Sequence, residues 1–584
     1  MRSYVGAVMA LGALFFGAVL SAPVAHADGS NVISDMALRR CVASTMDGYD
    51  VALSDPSAPN GDDAAMSAWI ASDAVSVSAV DLEAFASAAG GVQLWCPDLG
   101  ITSLDGLQYL AAAPDEGHVV WANFSGNQIS DASVLGGLTG LTLVDLTDNQ
   151  ISDAGFLATL PDLEQIMLSG NQITDIDGLG VSSPQGLWQL QAAGNQITDI
   201  GVLAGLAGLR DLDLSGNQIS DVSPLAGLTQ LTDVDLSSNL IGDVGSLADS
   251  HLPGLATLNL NDNGIVDVAA FALAQWPVLT EIDLRDNMIS DVAGLGQGVF
   301  TDLEVLDLGG NSVGDSSHVS DLLSLASLIR LDLDGNYISD VTPLAALAGV
   351  DPDLRWLDLS GNEISDISPL LPYVQWMSDA WPASSGDSWM TDYPDYCADQ
   401  PCLSVTLDSN HIIDVSGLPE SAGYTDEVGI GVSLRAQNVD GEDVSVGETY
   451  ALPVESATPG HEPLSWDVSL GKATLNSDGT FTFEESGPVM ICWEDASIHA
   501  GTVDGDDGSQ DTMPNYSGCV NYFVTDQVVP PLEPNKPHNG NTSQTGGSTV
   551  TSNGPEAALM LALALGLFVA YRQLSKRGRQ HASV

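Results

Sequence analysis

Carboxylates dominate the side chains that could do chemistry here: 78 Asp and Glu stand against 14 Lys and Arg, a net charge of −64 over 584 residues. Paired carboxylates can cleave glycosides, but among so many acids a pair carries no information. Their spacing says more. Asp131, Asp153, Asp175, Asp199, Asp221, Asp243, Asp267, Asp291, Asp315, Asp340, Asp366 and Asp414 recur every 22–26 residues, apart from a last step of 48. One reading is a ladder of caps on short helical turns, since Pro224, Pro343 and Pro369 follow three residues later, where such turns begin. A cap contributes about 1 kcal/mol, enough to offset the roughly 0.8 kcal/mol by which carboxylates about 5 Å apart repel in water. The other reading is a calcium-binding stripe. Nine histidines form no His-Glu-x-x-His, and there is no Cys-x-x-Cys, Gly-x-Ser-x-Gly or phosphate loop. Nothing pairs a nucleophile with a base, which argues against an enzyme. The charge also argues against nucleic acid and anionic lipid as partners.

Six cysteines are the remaining reactive groups. They allow fifteen pairings; Cys41–Cys96, Cys397–Cys402 and Cys492–Cys519 are preferred because each pair falls inside one apparent structural unit. Free thiols are the alternative if the chain matures in a reducing place. The ends favour export. Residues 1–27 read as a signal peptide, with Arg2, an apolar run from Val5 to Leu20, and Ala25-His26-Ala27 as the cleavage site. The apolar run Ala557–Tyr571, followed by Arg572, Lys576, Arg577 and Arg579, reads as a transmembrane or divergent wall-sorting segment (556–574) with a basic cytoplasmic tail (575–584). Residues 527–555, rich in Pro, Asn, Gly, Ser and Thr, read as a disordered stalk.

The elements that must position these groups follow from an internal repeat. Asn127, Asn149, Asn171, Asn195, Asn217, Asn239, Asn263, Asn287, Asn311, Asn336, Asn362 and Asn410 each sit four residues before an Asp of the ladder, in the pattern L-x-x-L-x-L-x-x-N-x-I. Leu209, Leu212, Leu214, Asn217 and Ile219 show it in full. This is a leucine-rich repeat. Its Leu-x-Leu alternation puts two apolar side chains on one face of a short strand, and stacked copies bury that face in a parallel sheet at about 4.8 Å per repeat. Each Asn turns inward to bond open backbone groups, forming a ladder. About 22 residues cannot hold a full helix as well, so short 3₁₀ or extended segments should return the chain. The expected fold is a solenoid of about 12 such repeats over 106–424.

The repeat N-x-I-x-D-[IV]-x-P-L, as in Asn217–Leu225 and Asn362–Leu370, resembles that of the bacterial internalin family. Ser34-Asp35-Met36-Ala37-Leu38-Arg39 opens a helix like the family's N-terminal cap, here 28–105, and Gly100-Ile101-Thr102-Ser103-Leu104-Asp105-Gly106-Leu107 matches the lead-in to its first repeat. A cap must cover the first open strand, and a Cys41–Cys96 bridge would pin its helix there. Downstream, Val432-Ser-Leu434-Arg-Ala436, Phe481-Thr-Phe483 and Val489-Met-Ile491-Cys492 alternate with period 2, and Asn476-Ser-Asp478-Gly479 signals a hairpin. Residues 425–526 thus read as a β-sandwich; the resemblance implies an immunoglobulin-like one. The family's Leu-Pro-x-Thr-Gly sorting signal does not precede Ala557.

The resemblance implies ligand binding on the concave strand face. Outward positions there read Asp145, Asp213, Asp235, Asp283, Asp307, Asp332 and Asp358, interrupted by Met167, Gln191 and Asn259. They form an acidic track for a cationic partner, or they are ordinary repeat composition. Trp121 and Trp356 fall two residues earlier on the same face. The step of 48 before Asn410 holds an aromatic insertion, 371–402, with Tyr373, Trp376, Trp381, Trp389, Tyr393 and Tyr396, ending at Cys397 and Cys402. It reads as a sugar- or pocket-binding loop, or as a terminal cap. The expectation is a non-catalytic, monomeric adhesin on the surface of a Gram-positive bacterium, anchored at its C-terminus. It would bind a protein or glycan on a host or neighbouring cell and need no cofactor. The alternative is a structural or calcium-binding envelope protein.

Overall fold

The computed structural model describes residues 31–48, 70–72, 75–86, 91–112, 119–314, 317–349, 354–380, 403–407, 409–412, 430–440, 444–445, 449–451, 465–476, 480–504 and 510–525. The signal peptide, stalk, 556–574 segment and tail lie outside these residues, as do Trp381, Trp389, Tyr393, Tyr396, Cys397 and Cys402.

The N-terminal cap is built by short-range hydrogen bonds. Helix α1 (Met36–Gly48) starts after Asp35, whose Oδ1 accepts the Leu38 N–H at 3.0 Å. Its Oδ2 accepts the Thr102 N–H and hydroxyl, each at 2.8 Å, so one carboxylate ties the helix to the lead-in of the first repeat. Burial opposes the charged form, but the bonds from Leu38, Thr102 and Ser103 prevail and hold the Asp35 carboxyl below its ordinary range. Helix α2 (Ala79–Ala86) has a reciprocal cap: Asp81 accepts the Ser78 N–H at 2.8 Å and Ser78 Oγ accepts the Asp81 N–H at 3.3 Å. The Cys41–Cys96 disulfide, with Cα atoms 5.8 Å apart, fastens α1 to the residue after β1 (Val92–Trp95).

From β1 the repeats stack as anticipated. The strands are β2 (Val119–Asn123), β3 (Leu143–Asp145), β4 (Gln165–Met167), β5 (Gln189–Gln191), β6 (Asp211–Asp213), β7 (Asp233–Asp235), β8 (Thr257–Asn259), β9 (Glu281–Asp283), β10 (Val305–Asp307), β11 (Arg330–Asp332), β12 (Trp356–Asp358) and β13 (Leu403–Thr406). Each pairs in parallel with the next, as in Leu212↔Val234↔Leu258. β12 pairs directly with β13 although the aromatic insertion lies between them in sequence. Its described portion, helix 371–380, buries Tyr373, which donates its hydroxyl to the Leu354 carbonyl at 3.1 Å. The chain returns through single 3₁₀ turns such as Ser133–Gly137, Gly155–Thr159 and Ser223–Gly227, or through short α-turns such as Gly245–Ala248.

Two ladders hold the stack. Nδ2 of Asn217 donates to Leu214 O of its own repeat and to Ala192 O of the previous one, at 2.9 and 3.0 Å, and Oδ1 accepts the Ile197 N–H at 3.0 Å. The same pattern runs from Asn127 to Asn410, so the ladder is amide to backbone. The Asp ladder caps turns, one residue earlier than a standard N-cap. Asp131, Asp153, Asp221 and Asp243 accept the N–H two residues on at 2.8 Å, while the N-cap positions themselves make no side-chain bond.

Past the repeats, β14 (Ile430–Asp440) continues the parallel sheet by pairing with β13. Gln437 of β14 is buried and repeats the asparagine's bonds, donating to Leu407 O at 2.8 Å and accepting the Ile412 N–H at 3.1 Å. The remaining strands are β15 (Val444–Ser445), β16 (Thr449–Ala451), β17 (Ser465–Leu470), β18 (Ala473–Leu475), β19 (Thr480–Phe483), β20 (Gly487–Asp504) and β21 (Gln510–Thr525). Strands β17, β20 and β21 run antiparallel, β14 and β15 join β21 in parallel, and β16, β19 and β18 form a small antiparallel sheet with the expected hairpin. Among the described residues these strands form small, unclosed sheets. Cys492 is disulfide-bonded and pairs in register with Cys519.

The expectation of a transmembrane chain is corrected. Among the described residues no helix is long and apolar enough to cross a membrane. The longest, α1 at 13 residues, spans about 20 Å against a hydrocarbon core of about 30 Å.

Candidate functional site

Each three-residue strand from β3 to β12 buries its middle residue and turns the first and third to the opposite face, with Leu94 of β1 and Ala122 of β2 aligned in the buried place, so stacking lays out two rows of outward side chains. On β1–β5 these are Gln93, Trp95, Trp121, Asn123, Leu143, Asp145, Gln165, Met167, Gln189 and Gln191. On β6–β10 they are Asp211, Asp213, Asp233, Asp235, Thr257, Asn259, Glu281, Asp283, Val305 and Asp307. Beyond them come Arg330 and Asp332, Trp356 and Asp358, then Thr406.

The third-position acids have a structural task. Oδ1 of Asp213, Asp235, Asp283, Asp307 and Asp358 accepts the N–H two residues on, at 2.8–3.0 Å, where the chain turns out of the strand. Ordinary repeat composition therefore explains why Asp stands there, while the same carboxylates still line the face. The first-position acids Asp211, Asp233 and Glu281 make no such turn. Burial raises the Asp211 pKa above its ordinary value, a hydrogen bond from Gln189 works against this, and the neighbouring Asp233 and Asp213 charges add to it.

Asp332 departs from the expected exposed track. It is 4% exposed and lies with Asp307 and Asp334 so that one carboxylate oxygen of each falls within 4.8 Å of the others. That spacing suits a divalent cation, but the Arg285 guanidinium already sits there. Its Nη1 is 2.5 Å from Asp334, 3.4 Å from Asp307 and 3.5 Å from Asp332. Burial pushes the Asp332 carboxyl up to about 8, helped by the charges of Asp307, Asp358 and Asp334. Burial opposes the Arg285 charge, yet the bond to Asp334 and the three carboxylates raise its pKa further. Sequence reasoning missed Arg285 because the repeat pattern gives its position no special residue; a lone cation four residues after Glu281 in so acidic a stretch was the available signal.

Of the expected tryptophans, Trp121 is 43% exposed. Trp356 is half-buried, with the Arg330 guanidinium 5.0 Å from its ring centre. Trp376 stacks on Tyr373, ring centres 5.9 Å apart, which favours a packing role for the start of the insertion. The structure adds Trp95, at 66% exposure, neighbouring Trp121's strand. With Ala37, Arg40, Cys41, Ser44, Thr45 and Leu99 it lines a cavity of about 440 Å³ between α1 and β1. Assigning 28–105 to the cap hid it, although Val92-x-Leu94-x-Cys96 alternates like a repeat strand.

A model of two consecutive leucine-rich repeats matches residues 140–180 and 189–227, and a leucine-rich-repeat model matches 353–373. No curated protein matches the chain. Similar solved structures include an internalin (inlF) from Listeria monocytogenes, at 25% identity and a TM-score of 0.46, covering 59% of this chain and 87% of that one. Internalin C2 from the same organism gives 29% and 0.33, covering 43% and 94%. The functional domain of L. monocytogenes InlJ gives 17% and 0.41, covering 77% and 92%. The chain carries a leucine-rich-repeat domain with structural similarity to several Listeria internalins.

Proposed function

We propose that the chain is a cell-surface adhesin whose strand face binds a protein on a host or neighbouring cell. The observation that carries this is the face itself: thirteen strands in parallel register leave two outward rows whose aromatic side chains the core does not use. Exposed tryptophan on a rigid sheet is a common source of binding energy. The contact set we assign comprises Trp121, Asp213, Asp235, Asp283, Asp307, Trp356 and Asp358, with the buried Asp332 beside Asp307. The strand-rich region 425–526 is read as an immunoglobulin-like display module. Purified chain is incubated with epithelial cells, mucin and cell-surface protein extracts beside an inert leucine-rich-repeat solenoid. Binding above that control is expected; binding equal to it would sink the adhesin reading.

A second reading, divalent-cation binding at Asp307, Asp332 and Asp334, is favoured by their mutual spacing. It predicts a melting temperature that rises with millimolar calcium, and more steeply once Arg285→Leu empties the cluster of its guanidinium. No rise in either protein rules it out.

A further inference from the structure

The strand face is not uniform, and its two halves ask for different chemistry. At the outward positions of β1–β5 Asp145 is the lone carboxylate, and the prominent groups are apolar. Trp95 and Trp121 are 66% and 43% exposed, and Leu99, at 46%, shares the 440 Å³ cavity beside α1 with Trp95. Apolar surface left open beside a recess marks a place where another molecule's apolar group is taken out of water. On β6–β10 seven of the ten outward positions are acidic and none is basic. The turn geometry accounts for the third-position acids but not for Asp211, Asp233 and Glu281, which sit where β5 carries Gln189. Of the cations beside this stretch, Arg285 is held by Asp307, Asp332 and Asp334, Arg330 of β11 lies over the Trp356 ring, and Arg210, just before β6, is exposed.

We propose that the strand face takes an extended polypeptide segment of dual chemistry: an apolar side chain anchored at Trp95, Leu99 and Trp121, and Lys or Arg side chains laid over β6–β10. This rests on the strand-face reading and specifies its partner. Geometry sets the spacing. Five inter-strand steps of about 4.8 Å separate β1 from β6, about 24 Å, which an extended chain covers in about seven residues at roughly 3.4 Å each. The basic stretch then crosses four further steps, about 19 Å, or about six residues. The acidic half accelerates encounter and fixes the partner's direction, and the aromatic half slows its release.

The test uses the purified full chain and fluorescein-labelled synthetic peptides. The probe carries Phe-Trp at one end, a seven-residue Gly-Ser-Gln spacer, and alternating Arg and Gln at the other; both chain directions are made. Controls lack the aromatic pair, shorten the spacer to two residues, or replace Arg by Glu. In fluorescence anisotropy the full probe, in one direction, should bind about ten-fold more tightly than the unanchored and short-spacer controls, and the Glu peptide not at all. Trp95→Ala with Trp121→Ala should erase that advantage. Asp211→Asn with Asp233→Asn and Glu281→Gln should flatten the salt dependence while leaving the turns intact. Equal affinity for anchored and unanchored peptides, indifference to the tryptophans, or no binding by any peptide overturns the proposal. Capture of a cell-surface protein that survives high salt and Trp95→Ala but is lost on mutating other strand-face residues keeps the adhesin reading and rejects this one.

Discussion

A single Asn217 amide donates to the Ala192 and Leu214 carbonyls, which the Asn195 and Asn239 amides also reach, and accepts the buried Ile197 N–H. Replacing it by Ala strips that N–H of its bond and should cost about 1–3 kcal/mol; urea denaturation with the repeats' circular dichroism as readout measures this. Gly170 makes a different demand. Its φ is +70°, and a Cβ there would stand 2.2 Å from Asp148 Oδ1, so Gly170→Ala should destabilise through both strain and collision. Asp332 brings pH into play. Its carboxyl titrates at about 8 in the folded chain, above the roughly 3.9 of an unfolded one. The folded state therefore holds that proton more tightly, and the stability it contributes is complete below about pH 4 and lost as pH rises through about 8. Asp332→Asn should remove this component of the fall in melting temperature between pH 5 and 8.

At the level of elements, the two ends of the stack are closed by different means. The N-terminal end relies on a covalent link: Cys41→Ser with Cys96→Ser should cost about 2–5 kcal/mol and loosen α1 before the repeats melt, visible as faster amide exchange in α1. The C-terminal end relies on Gln437. Gln437→Ala removes its bonds with the Ile412 N–H and with Leu407 O, which then keeps only the bond from Asn410, so exchange should speed up selectively around β13 and β14. The first closure was readable, because Cys41 and Cys96 flank one apparent unit. The second was not: Gln437 lies in a period-2 stretch that looks like the start of a separate sheet, and its amide does an asparagine's work from a side chain one carbon longer. Repeat strands were legible because Leu-x-Leu and Asn recur at a period no other local pattern shares. The strand-face acids were legible as residues but not as turn acceptors, since the bond depends on where the chain bends. Trp95 escaped notice because its strand precedes the first Asn.

The whole molecule carries −64, and few of its acids meet a cation. Self-repulsion of this kind weakens a compact state and is screened by salt, whose Debye length falls from about 30 Å at 0.01 M to about 3 Å at 1 M. Melting temperature should therefore climb by several degrees between about 0.01 and 0.5 M sodium chloride, with most of the gain below about 0.15 M; a flat profile would show that the carboxylates are already neutralised. The same screening would weaken a basic partner's attachment, so stability and binding should move in opposite directions along one salt series.

The join at β13 and β14 also has a mechanical meaning. A partner gripping the strand face and pulling loads the solenoid, and that tension leaves it through the backbone ladder between Leu403–Thr406 and Ile430–Ser433, with Gln437 as its last rung. From there it passes to β21 along Leu434–Asp440. Parallel neighbours pulled lengthwise must break their bonds together, whereas neighbours pulled sideways lose them in succession. For the adhesin proposed above, direction of pull, more than contact area, would then decide how long attachment lasts under load.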